Sequence, residues 1–211
     1  MIQARVLIGG NDDYHDILTA GASLRDTLLR DGILATLHLG WGKMQRGGLE
    51  TRVLVFATNG MRMPRVDQEA IAGAVDGGLG LVAIHTASVL AEEPEFHSIW
   101  LDLIGSRFAH HPPHARFKVT IEKNHEVTAD IKDFEIEDEL YITDRHGPAQ
   151  EVLATATHEG KKHPMVTVRE HGRGRVCYIA LGHDARALNN PAFQGILTRA
   201  VRWAAGALDR K

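Results

Sequence analysis

Apolar residues fall along this chain in short unbroken runs that alternate with stripes of helical spacing. Ala4–Ile8 is one such run, closed by Gly9-Gly10, and reads as a buried strand. Ile17–Arg30 follows, with apolar Ile17, Leu18, Ala20, Leu24, Leu28 and Leu29 in a helical pattern. Ile33–Leu39 predicts a second strand, leading into a glycine-rich loop at Trp41–Gly48, and Val53–Ala57 predicts a third. Pro64 suits the first turn of a helix, where a missing N–H costs nothing. Val66, Ala70, Ile71, Ala74 and Val75 give that helix an inner face, Gly77-Gly78 stop it, and Leu79–Ile84 is a fourth strand.

Strands that are apolar throughout, separated by amphipathic helices, are what a parallel sheet covered on both faces requires. The pattern therefore predicts a doubly wound α/β architecture. The middle of the chain is less regular. Glu95–Ile104 reads as a helix and Ala115–Ile121 as a strand. Leu140–Thr143, Val152–Ala156 and Met165–Val168 lack helices between them, which predicts an antiparallel extension of a mostly parallel sheet. Arg175–Leu181 returns to the apolar type. Asn190-Pro191 then opens a last helix striped by Phe193, Ile196, Leu197, Ala200, Val201 and Ala204. With no repeat or linker, 1–211 is expected to form a single domain.

Composition narrows the function classes. The chain has 211 residues, 44% of them hydrophobic, which suits one full core. A formal net charge of -3 argues against nucleic acid as a partner. No apolar run is long enough to span a membrane, and the amino terminus has no signal-peptide form, so a cytoplasmic location is expected. Cys177 stands alone, mid-strand, and reads as an inert core thiol. The unusual feature is 13 histidines, which leaves most acid–base or metal chemistry to imidazoles and carboxylates.

Ligands of open α/β sheets bind beyond the carboxyl ends of the strands. Three histidines fall there: His15 after the first strand, His85 after the fourth, His183 after the late one. Each alone is as readily a loop or capping residue, and the argument lies in their shared edge. His85-Thr86 occupies the strand-to-turn position where other α/β enzymes carry a nucleophile, and imidazole there suits proton transfer or metal ligation. His110-His111-Pro112-Pro113-His114 is held extended by its prolines, either as an exposed turn or as a loop laying His111 over the site. Asp138-Glu139-Leu140-Tyr141 is read as opening a strand, with Glu139 and Tyr141 on one face. Gly172-Arg173-Gly174-Arg175 reads as a hairpin turn, and neither it nor Gly9-Gly10 has a nucleotide-binding spacing.

These stretches, in this order, resemble the trehalose-utilisation (ThuA-like) family. The resemblance rests on Tyr14-His15-Asp16, the run Gly77 to His85, Phe108-Ala109-His110-His111-Pro112, His125 with Thr128, Asp138 to Tyr141, Gly172 to Val176, Leu181-Gly182-His183, and Trp203 to Gly206. It implies a three-layer, flavodoxin-like fold akin to class I glutamine amidotransferases, and a role in carbohydrate catabolism. Amidotransferase chemistry is not implied, because His85 stands where that superfamily has its cysteine. Glu126 and Thr167 depart from the family pattern, which has proline and tryptophan there.

The expected function is an enzyme acting on a disaccharide or keto-sugar by acid–base or metal-assisted chemistry. His85, His183 and Glu139 are the catalytic candidates. His15, Asp16, Thr86, His111, Tyr141 and Asp184 are the substrate-binding candidates. His15, His85 and His183 are also candidate ligands for a divalent metal, Zn or Mn. The expected partner is a small sugar, and the sequence leaves a homo-oligomer open. The rival is a non-catalytic sugar-binding or regulatory module using the same pocket. A hydrolase using Thr86, Ser88 or Cys177 would need that nucleophile paired with His85 or His183.

Overall fold

The computed structural model describes residues 1–10, 15–40, 49–59, 63–89 and 94–206; the expected loop at 41–48 and the segment 11–14 lie outside the described residues. Strands β1 (Gln3–Gly10), β2 (Leu34–Leu39), β3 (Val53–Asn59) and β4 (Gly80–Ile84) are parallel and stand in the order β2-β1-β3-β4. Every residue of β4 is buried, as a central strand covered on both faces demands. Helix α1 (Ile17–Arg30) crosses from β1 to β2, and α2 (Arg65–Asp76) from β3 to β4. Gly21 lets α1 lie close on the sheet, since a Cβ there would come within 2.8 Å of Ile8 and Leu37.

Past β4 the chain makes a 3-10 turn at Pro94–His97, helix α3 (Ser98–Ile104), and strands β5 (Ser106–His110), β6 (Ala115–Ile121), β7 (Phe134–Asp138) and β8 (Ile142–Arg145). Then come β9 (Glu151–His158), β10 (Lys161–His171), β11 (Gly174–Ile179), and helices α4 (Ala185–Leu188) and α5 (Pro191–Ala204). Strand β11 joins β4 in parallel, completing the five-strand flavodoxin-type order. Helices α1 and α5 pack together in one layer, α2 and α3 in another. The Gly172–Arg173 turn links β10 to β11 as a hairpin.

The antiparallel extension runs β11-β10-β9-β6-β7, while β5 and β8 form a separate ribbon. Four strand spacings of about 4.8 Å would put β7 roughly 19 Å from β11 in a flat sheet. Instead, β7 packs on α4, with Arg186 Nη1 2.8 Å from Glu137 Oε1 and Asn190 donating to the Glu135 carbonyl at 2.8 Å. The extension therefore curls back over the end of β11. Strand β10 carries register shifts between Pro164 and Thr167, where a bulge bends the strand and increases its twist.

Three sequence expectations need correction. Val66, expected on the inner face of α2, is exposed, and Asp67 and Gln68 are buried in that turn instead. The helix expected over Glu95–Ile104 begins as the 3-10 turn and becomes α only from Ser98. Asp138 ends β7, Glu139 follows it outside the ladder, and β8 begins only at Ile142, so the two do not open a strand. The reason is local. The Asp138 carboxylate takes the Glu139 backbone N–H at 2.9 Å, which draws the chain out of the ladder.

Candidate functional site

Strand β4 delivers His85 to its carboxyl end with φ at 39°, a left-handed conformation that costs a non-glycine residue on the order of 1–3 kcal/mol. Its carbonyl lies 3.2 Å from Ser88 Oγ and 3.1 Å from Tyr178 OH, and the two hydroxyls are 2.8 Å apart. This knot holds the strained turn in place. The ring is 1% exposed, and its Nδ1–H donates to the Ala180 carbonyl at 2.7 Å. That bond places a proton on Nδ1 and aims the ring, so that the buried Nε2, which makes no hydrogen bond, faces Glu139.

His183 follows β11. It is aimed by Gly182, whose φ of 114° suits glycine and whose missing side chain makes room for Phe193 and Ile84. His15 precedes the cap of α1. The three rings converge: His15 to His183 4.7 Å, His85 to His183 5.6 Å, His15 to His85 5.8 Å between centroids. Glu139, from the curled end of β7, completes the group. Its Oε2 is 3.1 Å from His183 Nδ1 and 3.5 Å from His85 Nε2, and neither contact is a hydrogen bond in direction and distance. One donor atom from each of the four residues lies within 4.8 Å of the others.

Asp138 ties the halves together. Wholly buried, it accepts N–H groups from Gly182 (2.7 Å), His183 (3.0 Å) and Glu139 (2.9 Å). Burial pushes its carboxyl up, against the pull of His85 and the three N–H groups. The sequence gives no sign of this role, because two of the three contacts lie 44 and 45 residues away.

Tyr141 stacks on His85 at 3.7 Å, with Phe108 4.5 Å and His111 5.9 Å from it, forming an aromatic wall. His111 Nε2 is 3.5 Å from Glu139 Oε1 and lies nearer solvent. Phe108 is a member that sequence reading did not assign. Asp184 caps α4, binds Arg186 and lies 3.8 Å from His114 Nε2, outside the cluster. Asp16 turns to its own helix, accepting from the Thr19 amide and hydroxyl. Thr86 is buried in the turn after His85.

The charges are coupled. Burial and the neighbouring His85 and His183 lower His15 to about 4. Contact with Glu139 raises His183, against its burial. Burial pushes Glu139 up, but His183 and His85 outweigh it and hold the carboxyl well below its usual range. At neutral pH, Glu139 is thus ionised and His15 neutral. Among the described residues no Ser, Thr or Cys side chain is hydrogen-bonded to the ring of His85 or His183, and burial pushes the Cys177 thiol up. The hydrolase reading has no support there.

A flavodoxin-type sheet, mostly parallel with an antiparallel extension and a histidine–carboxylate cluster at the carboxyl ends of its strands, defines a mixed α/β protein. The trehalose-utilisation (ThuA) family profile matches residues 5–204, and the chain belongs to that family, which gives it a role in carbohydrate utilisation. A ThuA-like protein from Parabacteroides merdae ATCC 43184 superposes with a TM-score of 0.79 at 20% identity, over 97% of this chain and 90% of that one. A cytoplasmic protein from Salmonella typhimurium LT2 gives 0.72 at 10% identity, over 95% and 99%. The β-galactosidase of Bacillus circulans sp. alkalophilus gives 0.69 at 14% identity, over 96% of this chain but 31% of the enzyme. At such identities the likeness is one of fold. No functionally curated protein matches the chain. Among the described residues no helix is long and apolar enough to cross a membrane.

Proposed function

We propose that the chain is an enzyme acting on a disaccharide or keto-sugar, with its reaction centre at His15, His85, Glu139 and His183. The observation that carries this reading is the meeting of three imidazoles and one carboxylate, from four separate stretches of chain. Binding a neutral sugar needs hydrogen bonds and an apolar surface; it does not need such a set. A carbonyl on the sugar ring acidifies the neighbouring C–H. A base taking that proton and an acid supplying one to the leaving oxygen then break the glycosidic C–O bond. His85 and His183 serve as base or as metal ligands, Glu139 as the acid–base partner. The wall of Tyr141 and Phe108 offers a flat apolar surface to a sugar face, with His111 at its rim.

Product analysis after incubation with trehalose and with its 3-keto derivative tests the reading. Turnover of one of them is expected, and His85→Ala is expected to lower it by at least about 10²-fold. Sugar binding without turnover would instead establish the non-catalytic module.

A further inference from the structure

We infer that His15, His85, Glu139 and His183 form a binding site for one divalent first-row transition-metal ion, with Zn²⁺ the best match. This rests on the location of the site given above and deepens it, since His85 and His183 become ligands.

Four observations converge. The first is spacing. Two donors on opposite sides of an ion lie about 4.2 Å apart, and two on adjacent tetrahedral corners roughly 3.3 Å apart, for bonds near 2.05 Å. The four donor atoms lie within 4.8 Å of one another, and the pairs at 3.1 and 3.5 Å already match a tetrahedral edge. Closing a pair at the 4.8 Å limit to that edge takes roughly 0.7 Å of side-chain movement by each donor.

The second is the unsatisfied state of the donors. His85 Nε2 is buried, without a hydrogen bond, and turned toward Glu139 and His183. A buried polar atom left without a partner costs about 1–3 kcal/mol, and an ion in the middle of the four removes that cost. His183 Nδ1 is in the same condition although Glu139 lies close by.

The third is outer support. Metal-ligating imidazoles usually donate their other N–H to a carbonyl or carboxylate, which fixes the tautomer and aims the ring. His85 does so through Ala180. Asp138 holds the backbone of both Glu139 and His183, so the two ligands share one anchor.

The fourth is charge and donor type. Three imidazoles and one carboxylate give a net charge of -1 when the imidazoles are neutral, which a divalent cation offsets. Nitrogen donors select zinc and its transition-metal neighbours over Mg²⁺ and Ca²⁺, which prefer all-oxygen sites.

The test uses the full chain stripped with a chelator, then titrated with Zn²⁺, Mn²⁺, Co²⁺ and Mg²⁺ by calorimetry, with the visible absorption of Co²⁺ reporting coordination. One equivalent of Zn²⁺ per chain is expected, with a tetrahedral Co²⁺ spectrum and no Mg²⁺ binding at comparable concentration. His85→Ala and the conservative Glu139→Gln should each weaken Zn²⁺ by at least about 100-fold. Absence of stoichiometric binding by all four ions overturns the inference, as does unchanged Zn²⁺ affinity in both ligand variants. Folding of each variant is checked by circular dichroism. A bound ion without sugar turnover upholds the metal site and refutes the sugar reading. Turnover by a chain that binds none of the four ions refutes the metal site and leaves that reading standing.

Discussion

Asp138→Asn is the sharpest test of how the site is built. The carboxylate splits its work: Oδ2 takes the Gly182 N–H, while Oδ1 takes those of His183 and Glu139. An amide in the same place retains one oxygen and presents an NH₂ group to at least one backbone N–H. Hydrogen bonds to a charged group are worth about 1.5–3 kcal/mol each, and a buried N–H left unsatisfied costs about 1–3 kcal/mol. Removing a buried charge returns part of this loss. The expected net destabilisation is therefore about 1–3 kcal/mol. At roughly 2–4 °C per kcal/mol for a chain of this length, Tm falls by roughly 2–12 °C. Thermal unfolding of the variant beside Glu137→Gln, a surface neighbour expected to change stability by less than about 0.5 kcal/mol, gives the comparison. Because Asp138 positions two proposed ligands, Zn²⁺ affinity should also drop about 10–100-fold. A variant as stable as the parent, with unchanged Zn²⁺ affinity, would refute the claim that this carboxylate joins the two halves.

Three further outcomes follow from the same geometry. Gly182→Ala forces an L side chain to a φ of 114° and brings its Cβ to 3.2 Å from Phe193, so a loss of about 1–3 kcal/mol and misplacement of His183 are expected, read by chemical unfolding and by Zn²⁺ titration. Tyr141→Phe should keep the stack on His85 and change stability by less than about 1 kcal/mol, whereas Tyr141→Ala should cost about 3–5 kcal/mol; equal losses would mean that the phenol, not the ring, matters. The metal-free protein should lose stability as pH falls from 6.5 toward about 4, because the unfolded chain then binds a proton at His15 that the folded chain refuses. His183, with its raised value, works the other way, adding stability below its ordinary value that is lost as pH rises through the folded one. Unfolding of parent and His15→Ala across this range should show the steeper slope in the parent; parallel slopes would refute the assignment.

The parallel half of the fold was legible because its signals are local. Ile17–Arg30 and Pro191–Ala204 carry their own stripes and caps, and fully buried strands such as β4 have no polar residue to obscure them. Parallel topology then dictates which strand ends lie together, and so the meeting of His15, His85 and His183 could be anticipated from sequence. The curled half was harder. Strand β7 reads Phe-Glu-Ile-Glu-Asp, and its two-residue alternation of Phe134 and Ile136 is the signal that charge obscured. Asp138 was beyond reach, since nothing near it in sequence indicates that a carboxylate will receive N–H groups from residues far along the chain. The four-residue α4 was announced only by its cap, Asp184.

The roll of the extension makes curvature itself part of the site's specification. Glu139 stands at the tip of a lever four strands long, each step turned by roughly 20–25° relative to the last. A small flattening far away is therefore magnified at the carboxylate. The bend between Pro164 and Thr167 lies near the start of that roll. Changes there adjust the aim of Glu139 without touching any donor, so relatives with identical donor residues can still differ in how firmly the fourth one arrives.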